Sequence, residues 1–184
     1  MKELFVVGEK IMNTTDERIQ MALLDLMKEK RLEEITIIAI ADKSKVNRTT
    51  VYRHYVDKYA ILQVIENDII QNFTEITDNN VSAVLNAVNK QRNIISVLLG
   101  EHGDPRFNDR FISFLMARGL RTLDSSTRFD ALDIRQKELL IQYLSAALVG
   151  LVKYWLNHPD MKVEELDTFF GNLFRNGINS FMEP

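Results

Sequence analysis

Apolar residues recur along this chain at the spacing of helices, not strands. Across residues 16–31 they fall at Ile19, Ala22, Leu23, Leu26 and Met27, one face of a helix. Thr14 or Thr15 can cap its start, with Asp16 and Glu17 in the first turn and Lys28, Lys30 and Arg31 in the last, as the helix dipole favours. Leu32 and Ile35 bracket a short connection and are expected to tuck beneath the helices. Thr36 then caps a second helix reaching about residue 44. Its β-branched Ile37, Ile38 and Ile40 make a strand the local competitor, but the alanines and the polar turn that follows favour a helix. Lys45 and Val46 form the turn, and Asn47 caps a third helix over residues 48–55. Asp57 caps a fourth from Lys58, with Ile61, Leu62, Ile65, Ile69 and Phe73 at helical spacing.

The pattern breaks at residues 77–80. The expected division is a first domain of residues 14–72 and a second of residues 73–184. Residues 81–88 and 91–99 read as two helices, or one kinked helix, interrupted at Asn89 or Lys90. After a loop over residues 100–105, Asp104 caps a helix that Pro105 opens and that carries Phe107, Phe111, Phe114, Leu115 and Leu120. A polar stretch at residues 124–126 precedes a long apolar helix over residues 134–157, stopped at Asn157, His158 and Pro159. A last helix from Val163 to about Ser180 has Leu166, Phe169, Phe170, Leu173, Phe174 and Ile178 on one side. The fold class is therefore all-α.

The long helix is apolar over much of its circumference, through Leu139, Leu140, Tyr143, Leu144, Ala147, Leu148, Leu151 and Trp155. Such a helix is covered on more than one side. The second cover is either its own chain or a second copy. A homodimer through the last two helices would use Tyr143, Ala147, Leu151, Phe170 and Phe174, with Ser145, Ala146 and Gly150 small enough to let a partner helix approach.

Composition adds limits. The chain has 184 residues, enough for a sizeable core. It contains no cysteine, which excludes disulfides and thiolate metal sites and suits a reducing cytoplasm. The apolar run from Leu4 to Val7 is too short for a signal peptide, and residues 139–156 are interrupted by Gln142, Ser145 and Lys153, so a buried helix is expected there and no membrane span. Net charge is −3, which at first argues against nucleic acid. Its distribution argues the other way: residues 36–58 carry Lys43, Lys45, Arg48, Arg53 and Lys58 against Asp42 and Asp57, a window of +3, while the segments before and after it are −2 and −4.

That basic window is also the helix–turn–helix. A reading helix must be short, polar outside and anchored from behind. Val51 and Tyr55 can anchor it, and Arg48, Thr49, Thr50, Tyr52, Arg53 and His54 face outward. The run IIAIADKSKVNRTTVYRHYVDKYAIL resembles the DNA-binding domain of TetR/AcrR-type transcriptional regulators. The matching residues are Ile40, Ala41, Val46, Asn47, Tyr52, His54, Tyr55, Lys58 and Leu62, and the resemblance extends over residues 15–70. It implies that Thr36, Tyr52, His54 and Lys58 contact phosphates and that Arg48, Thr49 and Thr50 face bases, with Lys45, Asn47 and Arg53 alongside. Lys45 stands where the family usually has glycine, at a turn with positive φ. Tyr55 replaces the usual Phe, a conservative change if its hydroxyl finds a partner.

The resemblance further implies a second domain that dimerises and often encloses a small-molecule effector. The break over residues 100–105 resembles that of a subgroup with a compact second domain. Pocket candidates are Phe73, Phe111, Phe114, Met116, Tyr143 and Trp155, though each fits an ordinary core better. His54, His102 and His158 do not form a metal pattern, no cofactor is indicated, and no nucleophile–base pair or phosphate loop points to an enzyme. The sequence thus reads as a dimeric regulator on a double-stranded operator, a repressor by preference and controlled by an effector or partner protein. The alternatives are a cofactor- or partner-dependent activator, or an adaptor whose second domain docks another protein.

Overall fold

The computed structural model describes residues 6–7, 10–11, 14–77 and 80–176. Apart from a two-residue antiparallel pair, β1 (Val6–Val7) and β2 (Lys10–Ile11), the regular structure is helical. In chain order follow α1 (Thr15–Met27), a 3-10 turn (Leu32–Glu34), α2 (Ile37–Ser44), α3 (Arg48–His54), α4 (Lys58–Thr74), α5 (Val81–Lys90), α6 (Arg92–Leu98), α7 (Pro105–Asp124), a second 3-10 turn (Thr127–Phe129), α8 (Ile134–Leu156) and α9 (Val163–Asn176). The first strand pair was not expected; the helices were. The continuation of α9 toward Ser180, with Ile178, lies outside the described residues, as does Met1–Phe5 with Leu4 of the opening apolar run.

The chain divides into two compact units, Met1–Phe73 with Asn93–Phe107, and Thr74–Arg92 with Asn108–Pro184. Residues 93–107, placed in the second domain on sequence, thus group with the first unit. Their apolar side chains Ile95, Val97, Leu98, Leu99 and Phe107 are all buried.

In the first unit the helix ends are set by side chains. Thr14 and Glu17 form a reciprocal capping box on α1, each bond 3.2 Å. Thr36 accepts from the Ala39 amide at 3.1 Å and starts α2 as a helix, which settles the strand alternative. Asn47 accepts from the Thr49 amide at 2.8 Å and starts α3. Ile19, Ala22, Leu23, Leu24 and Met27 of α1 are buried with Ile40 and Ala41 of α2, Val51 of α3 and Ile61, Leu62 and Ile65 of α4. Leu24 is buried and Leu26 only half-buried, so the covered arc of α1 is shifted from the one its spacing suggests.

The second unit is built on α8. Ile141, Ser145, Leu148, Val149, Val152 and Trp155 line its buried side. Gly119 of α7 lets that helix come close: a β-carbon there would lie 2.6 Å from Ile141 Cδ1. α9 packs Leu166 and Phe170 inward, and Asp167 accepts a 2.7 Å hydrogen bond from Ser82 of α5. α8 is long and apolar enough to cross a membrane by length and composition. Within the single chain it has one covered side and one open stripe of Leu139, Tyr143, Ala146, Gly150 and Tyr154, so its own chain does not supply the second cover.

The end of α8 is closed by Arg92. Its Nη2 donates to the carbonyls of Trp155 at 2.6 Å, His158 at 3.3 Å and Leu156 at 3.4 Å. The guanidinium lies over the Trp155 ring, 4.3 Å from its centre. A cation on the last carbonyls of a helix suits both the dipole and the otherwise unpaired oxygens. Arg92→Ala is expected to cost about 2 kcal/mol, seen as a fall of about 4–8 °C in thermal melts followed by circular dichroism. Arg92→Lys should recover only part, because an ammonium has no flat face to lay on the indole.

Candidate nucleic-acid interface

Seven residues make α3, too few for a helix to persist by itself. It is held from behind and from both ends. Val51 and Tyr55 are buried. The Tyr55 hydroxyl accepts from Gln20 Nε2 at 3.0 Å, so the tyrosine in place of the usual phenylalanine has its partner. Burial pushes the Tyr55 phenol pKa up, with the Gln20 bond opposing that in part. At the far end of α3, His54 Nδ1 lies 3.0 Å from Asp16 Oδ1 of α1.

The turn before α3 is left-handed. Lys45 has φ 54° and ψ 40°, and among the described residues it is the one non-glycine with positive φ. The Lys45 amide closes onto Asp42 O at 3.2 Å and the Val46 amide onto Ala41 O at 3.0 Å, the bond pattern that normally recruits glycine. Arg18 of α1 reaches the same place. Its Nε and Nη2 donate to Ser44 O at 3.1 and 2.6 Å, and Nη2 also to Lys45 O at 2.7 Å.

On the outer side, Thr36, Lys45, Asn47, Arg48, Thr49, Tyr52, Arg53 and His54 are exposed and Thr50 is half-buried. Arg48 Nη2 sits 3.4 Å from the Tyr52 hydroxyl, with the guanidinium 5.3 Å from the ring centre. Ile38 adds an exposed apolar side chain on α2. Lys58 stands apart. Its ammonium donates to Glu33 O at 2.7 Å and Ile35 O at 2.8 Å, closing the 3-10 turn onto the start of α4. The residue expected purely as a phosphate ligand is therefore also a strut, with one N–H outside those two bonds.

Sequence reasoning missed the contribution of α1. Asp16 was read as a dipole partner, and Arg18 and Gln20 not at all, yet all three reach across to the turn and to α3. Helical spacing marks them as polar positions and nothing more. The signal available was the turn itself: a residue with a β-carbon at positive φ calls for outside support.

In the second unit the dimer candidates separate. Tyr143 is 68% exposed and Phe174 is 44% exposed, while Ala147 and Leu151 are half-buried at the edge of the stripe. Phe170 is only 5% exposed and is buried within its own chain. Its neighbour Phe169 is 38% exposed and, with Glu164, Glu165, Thr168 and Asn172, lines an open depression on α9. Adjacent helical residues lie about 100° apart, so the two phenylalanines point in different directions, and Phe170 is the inward one.

The pocket candidates separate too. Phe73 lies in the first unit and the others in the second. Phe73, Phe111, Phe114 and Trp155 are buried, Met116 is half-buried and Tyr143 points outward. Phe111 and Phe114 stack at 6.3 Å. Trp155 is committed beneath Arg92, and its Nε1 donates to Met161 O at 2.9 Å. Among the described residues no three His, Asp or Glu side chains converge on a metal position. His158 stacks on Tyr154 at 3.9 Å, with its Nδ1 2.7 Å from the Tyr154 carbonyl.

The profile of the C-terminal region of TetR-type transcriptional regulators matches residues 75–176, over half of the chain. The chain belongs to the TetR family. Its relatives include the uncharacterised HTH-type regulator YxbF of Bacillus subtilis strain 168, 30% identical over 165 residues, covering 79% of this chain and 41% of that protein. The chain thus spans less than half the length of that relative. A TetR regulator from Streptococcus agalactiae 2603V has the same fold, with TM-score 0.64, 24% identity and 85% and 90% of the two chains covered. So has NalD, the secondary repressor of the MexAB-OprM efflux pump in Pseudomonas aeruginosa, with TM-score 0.65, 18% identity and 86% and 95% covered. TetR-family proteins are DNA-binding transcriptional regulators and not enzymes.

The strained turn gives a direct test in this TetR-family chain. Lys45→Gly is expected to raise stability by up to about 1 kcal/mol, because a β-carbon in the left-handed region costs roughly that much. Lys45→Val, branched at that carbon, should lower it. Denaturant midpoints at unchanged slope check both.

Proposed function

We propose that this TetR-family regulator is a cytoplasmic repressor that binds a pseudo-palindromic operator as a homodimer. The observation that carries the reading is the outer face of α3. Arg48, Thr49, Tyr52 and Arg53 are exposed on a helix anchored by buried Val51 and Tyr55, inside a basic window of an acidic chain. With α3 in the major groove, Arg48 takes guanine edges and Thr49 and Thr50 touch neighbouring bases. Thr36, Tyr52, His54 and the remaining N–H of Lys58 face phosphates, flanked by Lys45, Asn47 and Arg53. The DNA-binding role falls to residues 14–72 and the dimerising and regulatory role to residues 73–184.

The second copy covers the open stripe of α8 and the outer side of α9. Leu139, Tyr143, Tyr154, Phe169 and Phe174 leave an apolar surface that a matching helix pair would bury, and Gly150, with open space around its α-carbon, allows close approach. A small-molecule effector or partner protein acting on residues 73–184 changes DNA binding only if it prefers one spacing of the two reading heads.

Selection of genomic fragments by the purified protein at moderate salt tests the core claim; no enrichment would sink it. On the selected operator, Arg48→Ala is expected to weaken binding about 5- to 100-fold and relax the preference at one position in each half-site. An adaptor would keep its partner and lose nothing with Arg48→Ala and Tyr52→Ala. A second expectation concerns assembly: Leu139→Glu with Tyr143→Glu should convert the dimer to monomer in sedimentation and abolish tight operator binding while α3 stays folded.

A further inference from the structure

We infer that Arg18 is a positioning residue for DNA reading: its guanidinium fixes both backbone dihedrals of Lys45 and so sets the angle at which α3 leaves α2. The inference rests on the reading of α3 as the base-reading helix. The Ser44 carbonyl belongs to the peptide plane before the Lys45 α-carbon, and the Lys45 carbonyl to the plane after it. Arg18 holds the first through Nε and Nη2 at 3.1 and 2.6 Å and the second through Nη2 at 2.7 Å. One rigid, planar group grips both planes, and the residue between them is the one left-handed non-glycine among the described residues. A glycine would adopt φ 54° and ψ 40° without help. A lysine there has a competing right-handed minimum, which would carry α3 away from its seat. Both gripped oxygens lie at the C-terminal end of α2, where carbonyls lack helical partners and favour a cation. The donor sits on α1, whose Asp16 and Gln20 hold the other end of α3 through His54 and Tyr55. The turn and the reading helix are thus referenced to one rigid body.

Two measurements on the full chain test this. The first needs no DNA. In thermal melts, Arg18→Ala is expected to lower Tm by about 3 °C more in the unmodified background than in the Lys45→Gly background, a difference on the scale of one lost interaction. Equal losses in both backgrounds overturn the clamp. The second compares affinity for the selected operator with that for a shuffled duplex, at a temperature where every variant is folded. Arg18→Ala is expected to lower the ratio about tenfold, a change of about 1.4 kcal/mol, with the shuffled duplex bound nearly as before. Adding Lys45→Gly should restore most of the ratio, and Arg18→Lys, which keeps the charge but not the two-plane grip, should not. Equal loss on both duplexes, or full rescue by lysine, would show that Arg18 acts as a charge alone. If Arg18→Ala does not fold, Arg18→Gln takes its place. If the unmodified protein selects no operator, the reading of α3 fails, while the melts still decide the clamp.

Discussion

Short helices cannot hold their own shape. Nucleating a helix is unfavourable, and a segment of seven or eight residues gains too few backbone bonds to offset that in water. α2 and α3 are of that length, and most of the side chains proposed to face DNA sit on α3 or at its ends. Several side chains of the first unit answer this constraint. Thr36 and Asn47 fix where the helices start. Val51 and Tyr55 fix their depth, and Arg18, Gln20 and Asp16 fix their direction. Lys58 does the same for the entry to α4 by gathering the carbonyls of Glu33 and Ile35.

The second unit solves a different problem with the same means. α8 has more apolar surface than its own unit covers, so it has a finished side and an unfinished one. The finished side ends in Trp155, whose ring, indole N–H and backbone carbonyl are all engaged by Arg92 and Met161. The open side carries two tyrosines, side chains that tolerate water at one end and apolar contact along the rest.

What could be read from the sequence was what depends on neighbours along the chain. The caps of α1, α2 and α3, the turn at Lys45 and the anchors Val51 and Tyr55 follow from local rules of spacing and hydrogen bonding. What escaped depends on distant partners. Lys58 matched a motif by position, but its bonds to Glu33 and Ile35 bridge separate turns. Phe169 and Phe170 are chemically identical in sequence, and only the packing of α9 decides which is inside. Residues 93–107 follow α5 in the chain yet group with the first unit, and Ile95, Leu98 and Phe107 among them are buried.

The pairing of Arg48 with Tyr52 bears on how such a protein would search a genome. An arginine resting on a ring has surrendered part of its rotamer freedom before any DNA arrives, so less remains to be lost when it meets a guanine. On the proposed reading, a wrong base does not leave that cation stranded, because the ring is still there to receive it. Non-target bases are then neither gripped nor repelled. The protein can pass along it, held by phosphates alone, until a base edge offers more than the tyrosine does.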